Sequence, residues 1–538
     1  MMEHSCRSRF LALTIVLLTL SLFAAGQVAV TTYHNDNYRS GANTNETILT
    51  PSNVNEVQFG KKLVLPVTGY VYAQPLYVPN VNINGKLHNM VYVVTEHDQA
   101  YGFDANTGQQ MWEKNFLLSS NFQRQIYPVS SNDIDCSGNG SETGITSTPV
   151  IDLSTNLLYT VAATKEVVNH TSKLYQRMHV LDIATGVEKQ SGPFFGAPIQ
   201  AKTPGTGAGS IDGWLYFDPT VENQRAALTL SNGLVFAAWG AYCDVGNFHG
   251  YVMAFNTKNM FPSGVFVTTP NGYDGGLWAS GSGPAVDTTG DFYFPTGNGL
   301  FDAYLGGTEY GDSMLRISWD GGQPNVDDYF TPWDQASLDY YDWDVASGGI
   351  LLLPDQPGTQ HPHLLVQVAK EGTIDLVDRD NMGHYSPGGD TQIVQTLPMI
   401  ISGVWGAPAM WNNNLYFGGQ KGPLVAFSYD PVAQLIRTPL TSATPETFGY
   451  PGPTPSISSN GASNGIVWIV QNDTFQGGGH AILRAYDANN LATELYNSDQ
   501  NPARDQAGGA IKFTVPTIAD GLVFIPVKNE VDVYGLLN

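Results

Sequence analysis

The chain has 538 residues and a formal net charge of −24, with 13% charged residues but 58 glycines, 32 prolines and 27 tyrosines. So acidic a chain is a poor partner for nucleic acid or for an anionic membrane surface. So turn-rich and aromatic a composition, with no sustained 3.6-residue apolar period, excludes a helical bundle and points to many short strands. At the N-terminus, Arg7 and Arg9 precede the apolar run LALTIVLLTLSLF, and Ala24, Ala25 and Gly26 offer a small-residue cleavage site. Residues 1–26 therefore read as a signal peptide, and the mature chain is expected outside the cytoplasm, in the periplasm or the extracellular space. A membrane anchor is the weaker reading, because the run is short and ends in small residues. Removal of Cys6 leaves Cys136 and Cys243, an even count for an oxidising compartment. Both lie in polar loops, and from the sequence alone one disulfide and two free thiols both stay open. No CxxCH string is present, so no covalently attached haem is encoded.

The string FGKKLVLPV, starting at Phe59, reads as a strand without a partner of its own. From Ala73 onward a strand-rich unit recurs roughly every 45 to 60 residues. Its clearest copy, Met90 to Phe116, is MVYVVTEHDQAYGFDANTGQQMWEKNF; the next, LLYTVAA to RMHVLDIATGVEKQ, ends at Gln190. The turns Asp104–Gly108 and Asp182–Gly186 have a mechanism: the Asp side chain bonds backbone ahead of it, and Gly supplies the positive φ that closes the turn. Six later copies carry the same grammar, ending with LVFIPVKNEVDVYGLL. One such sheet buries too little to stand alone, and radial closure packs the sheets while leaving only short edges. The expected fold is all-β: one domain over residues 27–538, an eight-bladed β-propeller of four-stranded antiparallel blades. The last unit is short by an outer strand, so the N-terminal strand is expected to complete it and close the ring.

FDANTGQQMW, LDIATG and the lead-in TPSNVNEVQFGKKLVLPV resemble the repeats of pyrroloquinoline quinone (PQQ) propellers over nearly the whole mature chain. GITSTPVID, GLWASGSGPAVD, PTGNGLFDA and KEGTIDLVDRDNMGHY resemble an exported branch of that family. The relatives of known activity are quinoprotein alcohol dehydrogenases, which hold PQQ and a metal ion on the propeller axis. The resemblance implies roles for six residues. Asp342, in LDYYDWD, matches the catalytic base; Asn298, in PTGNG, and Asp344 match metal ligands; Lys370 matches the cation facing the quinone oxygens; Trp278 matches the indole on which the flat cofactor stacks; and Asp244 stands near a metal-binding Glu. Calcium or a lanthanide is the implied ion, since a hard cation takes several oxygen ligands, and a carboxylate beside it suits proton abstraction from an alcohol.

Five of the six also have a structural alternative. Asn298 before Gly is an ordinary turn former, Asp342 and Asp344 lie in an acidic stretch with Asp327, Asp328, Asp334 and Asp339, Lys370 can be a strand-end lysine, and Trp278 a core indole. The chain departs from the family pattern in three places: no adjacent cysteine pair, Thr143 where an Arg is expected, and Asp244 a methylene shorter than the family's Glu. His249 reads as a core or capping residue, and the pair His361 and His363 lacks a third zinc ligand. Two functions follow: oxidation of an alcohol or sugar with PQQ and a metal ion, passing electrons to an external acceptor, or a non-catalytic propeller that binds a glycan, peptide or protein on its loop-rich face. Convergence of Asn298, Asp342 and Lys370 is the geometric test between them.

Overall fold

A computed structural model describes residues 27–119, 123–137, 140–190, 192 and 194–537; the expected signal peptide, 1–26, lies outside them. Among these residues the chain forms eight sheets of three to five strands and one two-stranded ribbon, Lys202–Pro204 with Trp214–Tyr216. The first sheet shows the plan: Leu76–Ile83, Lys86–Thr95, Gln99–Asp104 and Gln110–Asn115, paired antiparallel in chain order. The third sheet repeats it with Glu222–Ser231, Leu234–Ala241, Tyr251–Asn256 and Pro262–Val267. No helix among the described residues is long and apolar enough to cross a membrane.

The strands are apolar on both faces, and the period-2 alternation of a strand sends neighbours to different cores. In Ser463–Gln471, Ile466 and Trp468 join the core shared with the eighth sheet, whereas Val467 and Ile469 join the core shared with the sixth. Eight such clusters link successive sheets, from Tyr92 against Leu158 between the first and second to Val91 against Phe524 between the eighth and first. The sheets therefore follow one another in a closed cycle.

Turn chemistry fixes the units. Asp104 Oδ1 accepts from the backbone of Asn106 and Thr107 at 3.1 and 2.9 Å, and Asp182 Oδ1 does the same for Ala184 and Thr185 at 3.0 and 2.9 Å. Trp112 then docks on the next unit: its Nε1 donates to Ile183 O at 2.9 Å, and a Cβ at Gly186 would lie 2.5 Å from the indole.

Closure uses the N-terminal segment twice. Phe59–Tyr70 pairs antiparallel with Leu522–Leu536, so the strand without a partner in sequence becomes the outer strand of the last sheet. Upstream, residues 30–43 circle one end of the axis and touch the eight sheets in chain order. Val30 bonds Tyr77, Thr31 O accepts from Ile151, Asn37 meets Leu230 and Val286, Tyr38 O accepts from Leu352, Ser40 O from Met410, Gly41 O from Ile457, and Asn43 donates to Ile518 O. Arg39, fully buried, pins this segment through Thr32, Tyr33 O, Thr229 and Pro284 O. Nothing in the sequence analysis anticipates this ring.

Candidate functional site

At the end of the axis away from the N-terminal ring lies a cavity of about 250 Å³. Cys136, Asn223, Asp244, Trp278, Asp344, Lys370, Trp405, Tyr450 and Lys512 are among its walls, and they come from loops and strands of most of the sheets. Residues so far apart in sequence meet only where the sheets converge.

The acidic stretch before Asp342 forms a short helix, Gln335–Tyr341, that ends at Asp342 in the left-handed conformation, φ 57° and ψ 50°. Asp tolerates that geometry better than most side chains. The turn presents Asp342 to solvent, with its side chain 70% exposed, and tucks Asp344 inward at 13%. Lys370, just after the strand Leu364–Val368, reaches both: Nζ donates to Asp342 Oδ1 at 2.8 Å and to Asp344 Oδ2 at 3.0 Å. Asn298 completes the cluster, its backbone N–H donating to Asp344 Oδ1 at 3.1 Å and Nδ2 to Asp342 Oδ1 at 3.0 Å. Four residues from three separate loops are thus joined by four hydrogen bonds, and Asn298, Asp342 and Lys370 do converge.

Two oxygens stay uncommitted. Asn298 Oδ1 is buried without a hydrogen-bond partner, and burying an acceptor unpaired is costly unless something else binds it. Asp342 Oδ2 makes no hydrogen bond to a described residue. Burial lowers the basicity of Lys370, but the carboxylates of Asp344 and Asp342 outweigh it, so its pKa is raised and it keeps its charge. Asp344 shifts up, chiefly through burial, against the pull of Lys370.

Trp278 stands beside this cluster against glycine backbone. A Cβ at Gly240 would lie 3.1 Å from its ring, and one at Gly297 would meet both its Cδ1, at 2.9 Å, and Asp344 Oδ1, at 2.6 Å. Only glycine permits that approach. Cys136 and Cys243, which also line the cavity, form a disulfide with Cα atoms 5.6 Å apart, which resolves the alternative that the sequence left open. Asp244 follows Cys243 at the open edge; burial of its carboxyl and then the charges of Asp344 and Asp342 push it up to about 6. Asp274, not anticipated, is likewise pushed up to about 6, by burial and then by Asp244. His249 is buried between Thr269 and Ala208 O, and His361 and His363 pair separately with Asp378 and Asp380.

The sequence reading missed Arg225, Trp405, Tyr450, Lys512 and Phe513. For the aromatics a signal existed: Trp278, Trp405, Tyr450 and Phe513 each lie a few residues before the innermost strand of a sheet. Arg225 had none. It sits where the pairing of Glu222–Ser231 slips between Asn223 and Ala226, and a bulge re-aims a side chain that simple alternation would place elsewhere.

No family model matches the chain, and no curated protein matches it. Solved structures do. The chain is similar to a quinohemoprotein alcohol dehydrogenase from Pseudomonas putida, at 13% identity and a TM-score of 0.58 over 95% of this chain and 80% of the other. It is similar to the quinohemoprotein alcohol dehydrogenase from Comamonas testosteroni, at 13% identity and 0.59 over 95% and 81%. A europium-containing methanol dehydrogenase matches at 10% identity and 0.56 over 94% and 98%. At such identities the likeness shows the fold alone: a β-propeller similar to those of quinoprotein dehydrogenases.

The residues present fit a flat anionic quinone: an indole wall, a disulfide wall, and the cations Lys370, Arg225 and Lys512 around one slot. For a hard cation the fitting observation is the orphaned Asn298 Oδ1, with Asp344 and Asp244 as the carboxylates nearest in role. Among the described residues no three His, Cys, Asp or Glu side chains form a metal cage, so an ion here depends on the amide.

Proposed function

We propose that the chain is an exported, eight-bladed quinoprotein dehydrogenase that oxidises an alcohol or sugar with PQQ and calcium or a lanthanide. The observation that carries this reading is the hydrogen-bonded cluster of Asn298, Asp342, Asp344 and Lys370 at the edge of a cavity walled by Trp278. The eight sheets and their cyclic cores support eight blades. The Cys136–Cys243 disulfide supports export, since such bonds persist in oxidising compartments.

In this reading the quinone supplies a two-electron acceptor for the substrate's carbinol carbon. Trp278 offers the face on which a planar ring stacks. Lys370, held protonated by two carboxylates, directs positive charge at whatever oxygen lies above it. Asp342 Oδ2 faces solvent and takes the hydroxyl proton, while Oδ1 is held in place by Asn298 and Lys370. Asn298 Oδ1, Asp344 and Asp244 would hold the cation, which requires Lys370 to loosen its contact with Asp344. Electrons leave to a separate acceptor.

The second reading, a non-catalytic propeller binding a glycan, peptide or protein, is favoured by one observation: Lys370 already neutralises Asp342 and Asp344, as in a purely structural ion-pair network. A dye-linked oxidation assay over a panel of alcohols and sugars separates the two. Turnover that needs both PQQ and the ion supports the enzyme, and no turnover under any metal condition supports the scaffold.

A further inference from the structure

Two cations in the cavity wall, Arg225 and Lys512, have no carboxylate at ion-pair distance. Arg225 is 7% exposed, yet its guanidinium makes no hydrogen bond to a described residue and no carboxylate lies within ion-pair distance. The guanidinium lies over the face of Phe513, with Cζ 4.4 Å from the ring centroid. Lys512 Nζ lies 5.0 Å from the same ring and is also without a carboxylate partner. Every other buried arginine side chain among the described residues is satisfied: Arg39 by carbonyls and hydroxyls, Arg177 by Glu166, Arg379 by Asp287 and Asp355. Taking two like charges out of water with no carboxylate at contact distance is unfavourable, and a fold tolerates it where a ligand supplies the opposite charge. Both side chains line the cavity that holds Trp278 and Lys370, so the missing anion belongs in that cavity.

We infer that Arg225 and Lys512, stacked on Phe513, form an anion-recognition subsite that receives a carboxylate of a planar ligand lying against Trp278. This inference rests on the cavity proposed above as the quinone site and specifies the ligand's charge: an acid is taken and its neutral ester refused. Arg supplies a planar fork matched to a carboxylate, and Phe513 fixes its plane. The bulge at Asn223/Ala226 is the local device that turns Arg225 inward. A ligand with one acidic end here would reach toward Lys370 with the other.

The pH dependence follows. Burial, and then the neighbouring charge of Arg225, pull the Lys512 ammonium down to about 8. Tyr72, Tyr450, Glu96 and Tyr33 face Arg225 at longer range, and Arg225 is the charged group that acts on Lys512. Anion affinity should therefore fall as pH rises through about 8.

The test is calorimetric titration, with thermal shift alongside, of wild type, Arg225→Met and Lys512→Met. The probes are PQQ, its trimethyl ester, benzene-1,3,5-tricarboxylate and inorganic phosphate. Expected are binding of both acids and not of the ester, roughly 10- to 100-fold weaker acid binding in each variant, and a ligand-free melting point unchanged or higher than wild type, because an unpaired buried cation has gone. Phosphate binding would mark a general anion site, and its failure beside tricarboxylate binding a carboxylate-selective one; both support the inference. Tricarboxylate binding without PQQ binding would sink the quinone reading and leave the subsite standing. An ester that binds as well as the acid, acids that bind both variants undiminished, or no anion bound by wild type would overturn it.

Discussion

In the proposed function Asp342 is the proton acceptor, yet it carries very little of the fold. Its side chain is largely in solvent, and its backbone occupies a left-handed position that Asn adopts as readily. Asp342→Asn should therefore leave the melting temperature within about a degree of wild type, since exposed substitutions shift stability by roughly 0.5 kcal/mol or less. In the proposed dehydrogenase the same change removes the proton acceptor, and dye-linked oxidation should fall about 10²- to 10⁴-fold. Turnover equal to wild type would take Asp342 out of the mechanism. Its neighbour Asn298 shows how far a single residue is legible. PTGNG names a turn, and the family resemblance names a ligand, but only the structure shows Nδ2 committed to Asp342 and Oδ1 buried and free.

At the scale of elements, what was legible followed from local rules. The DxxTG turns announce themselves because their chemistry lies within five consecutive residues, and FGKKLVLPV reads as a strand because its pattern is its own. What was not legible depends on contacts hundreds of residues apart. Arg39 bonds Thr229 and Pro284, and Arg225 turns inward only because one strand slips against its partner. Residues 30–43, polar and short of any period, gave no sign that they would touch eight sheets in sequence. That segment and the strand Phe59–Tyr70 should hold the ring together. A chain lacking residues 27–70 would lose the outer strand of the last sheet and leave the carbonyl and N–H groups that meet the ring unpaired. It should melt far below wild type and without a single cooperative transition, as followed by calorimetry. An unchanged, cooperative transition would show that the eight inter-sheet cores suffice.

For the whole molecule, buried acids dominate the response to pH. Burial raises Glu96 to about 7 and Asp375 to about 7. Burial and neighbouring acids raise Asp244, Asp274 and Asp390 to about 6. A carboxyl whose folded pKa is raised stabilises the fold below its unfolded value, and that contribution is lost as pH rises through the folded value. The melting temperature should therefore fall steadily between about pH 5 and pH 7, aided by self-repulsion of a net charge of −24. Below about pH 4 the order reverses. Burial opposes ionisation of Glu188, but its hydrogen bonds to His179 and Lys114 prevail and hold it down at about 2. Asp104 and Asp152 are likewise held low by their turn hydrogen bonds against the cost of burial. Protonating these groups costs stability. A flat profile from pH 5 to pH 8 would mean that the buried acids carry partners or ions that cancel their cost.

The central claim, that this axial cavity is a quinone site, is tested most directly by titrating the mature protein with PQQ in the presence and absence of calcium or lanthanum, read by absorbance and thermal shift. The account predicts saturable binding of one equivalent, strengthened by the ion and weakened by loss of Asn298. No spectral change and no thermal shift under any metal condition would contradict it, leaving a propeller whose hydrogen-bonded cluster of Asn298, Asp342, Asp344 and Lys370 serves only the fold.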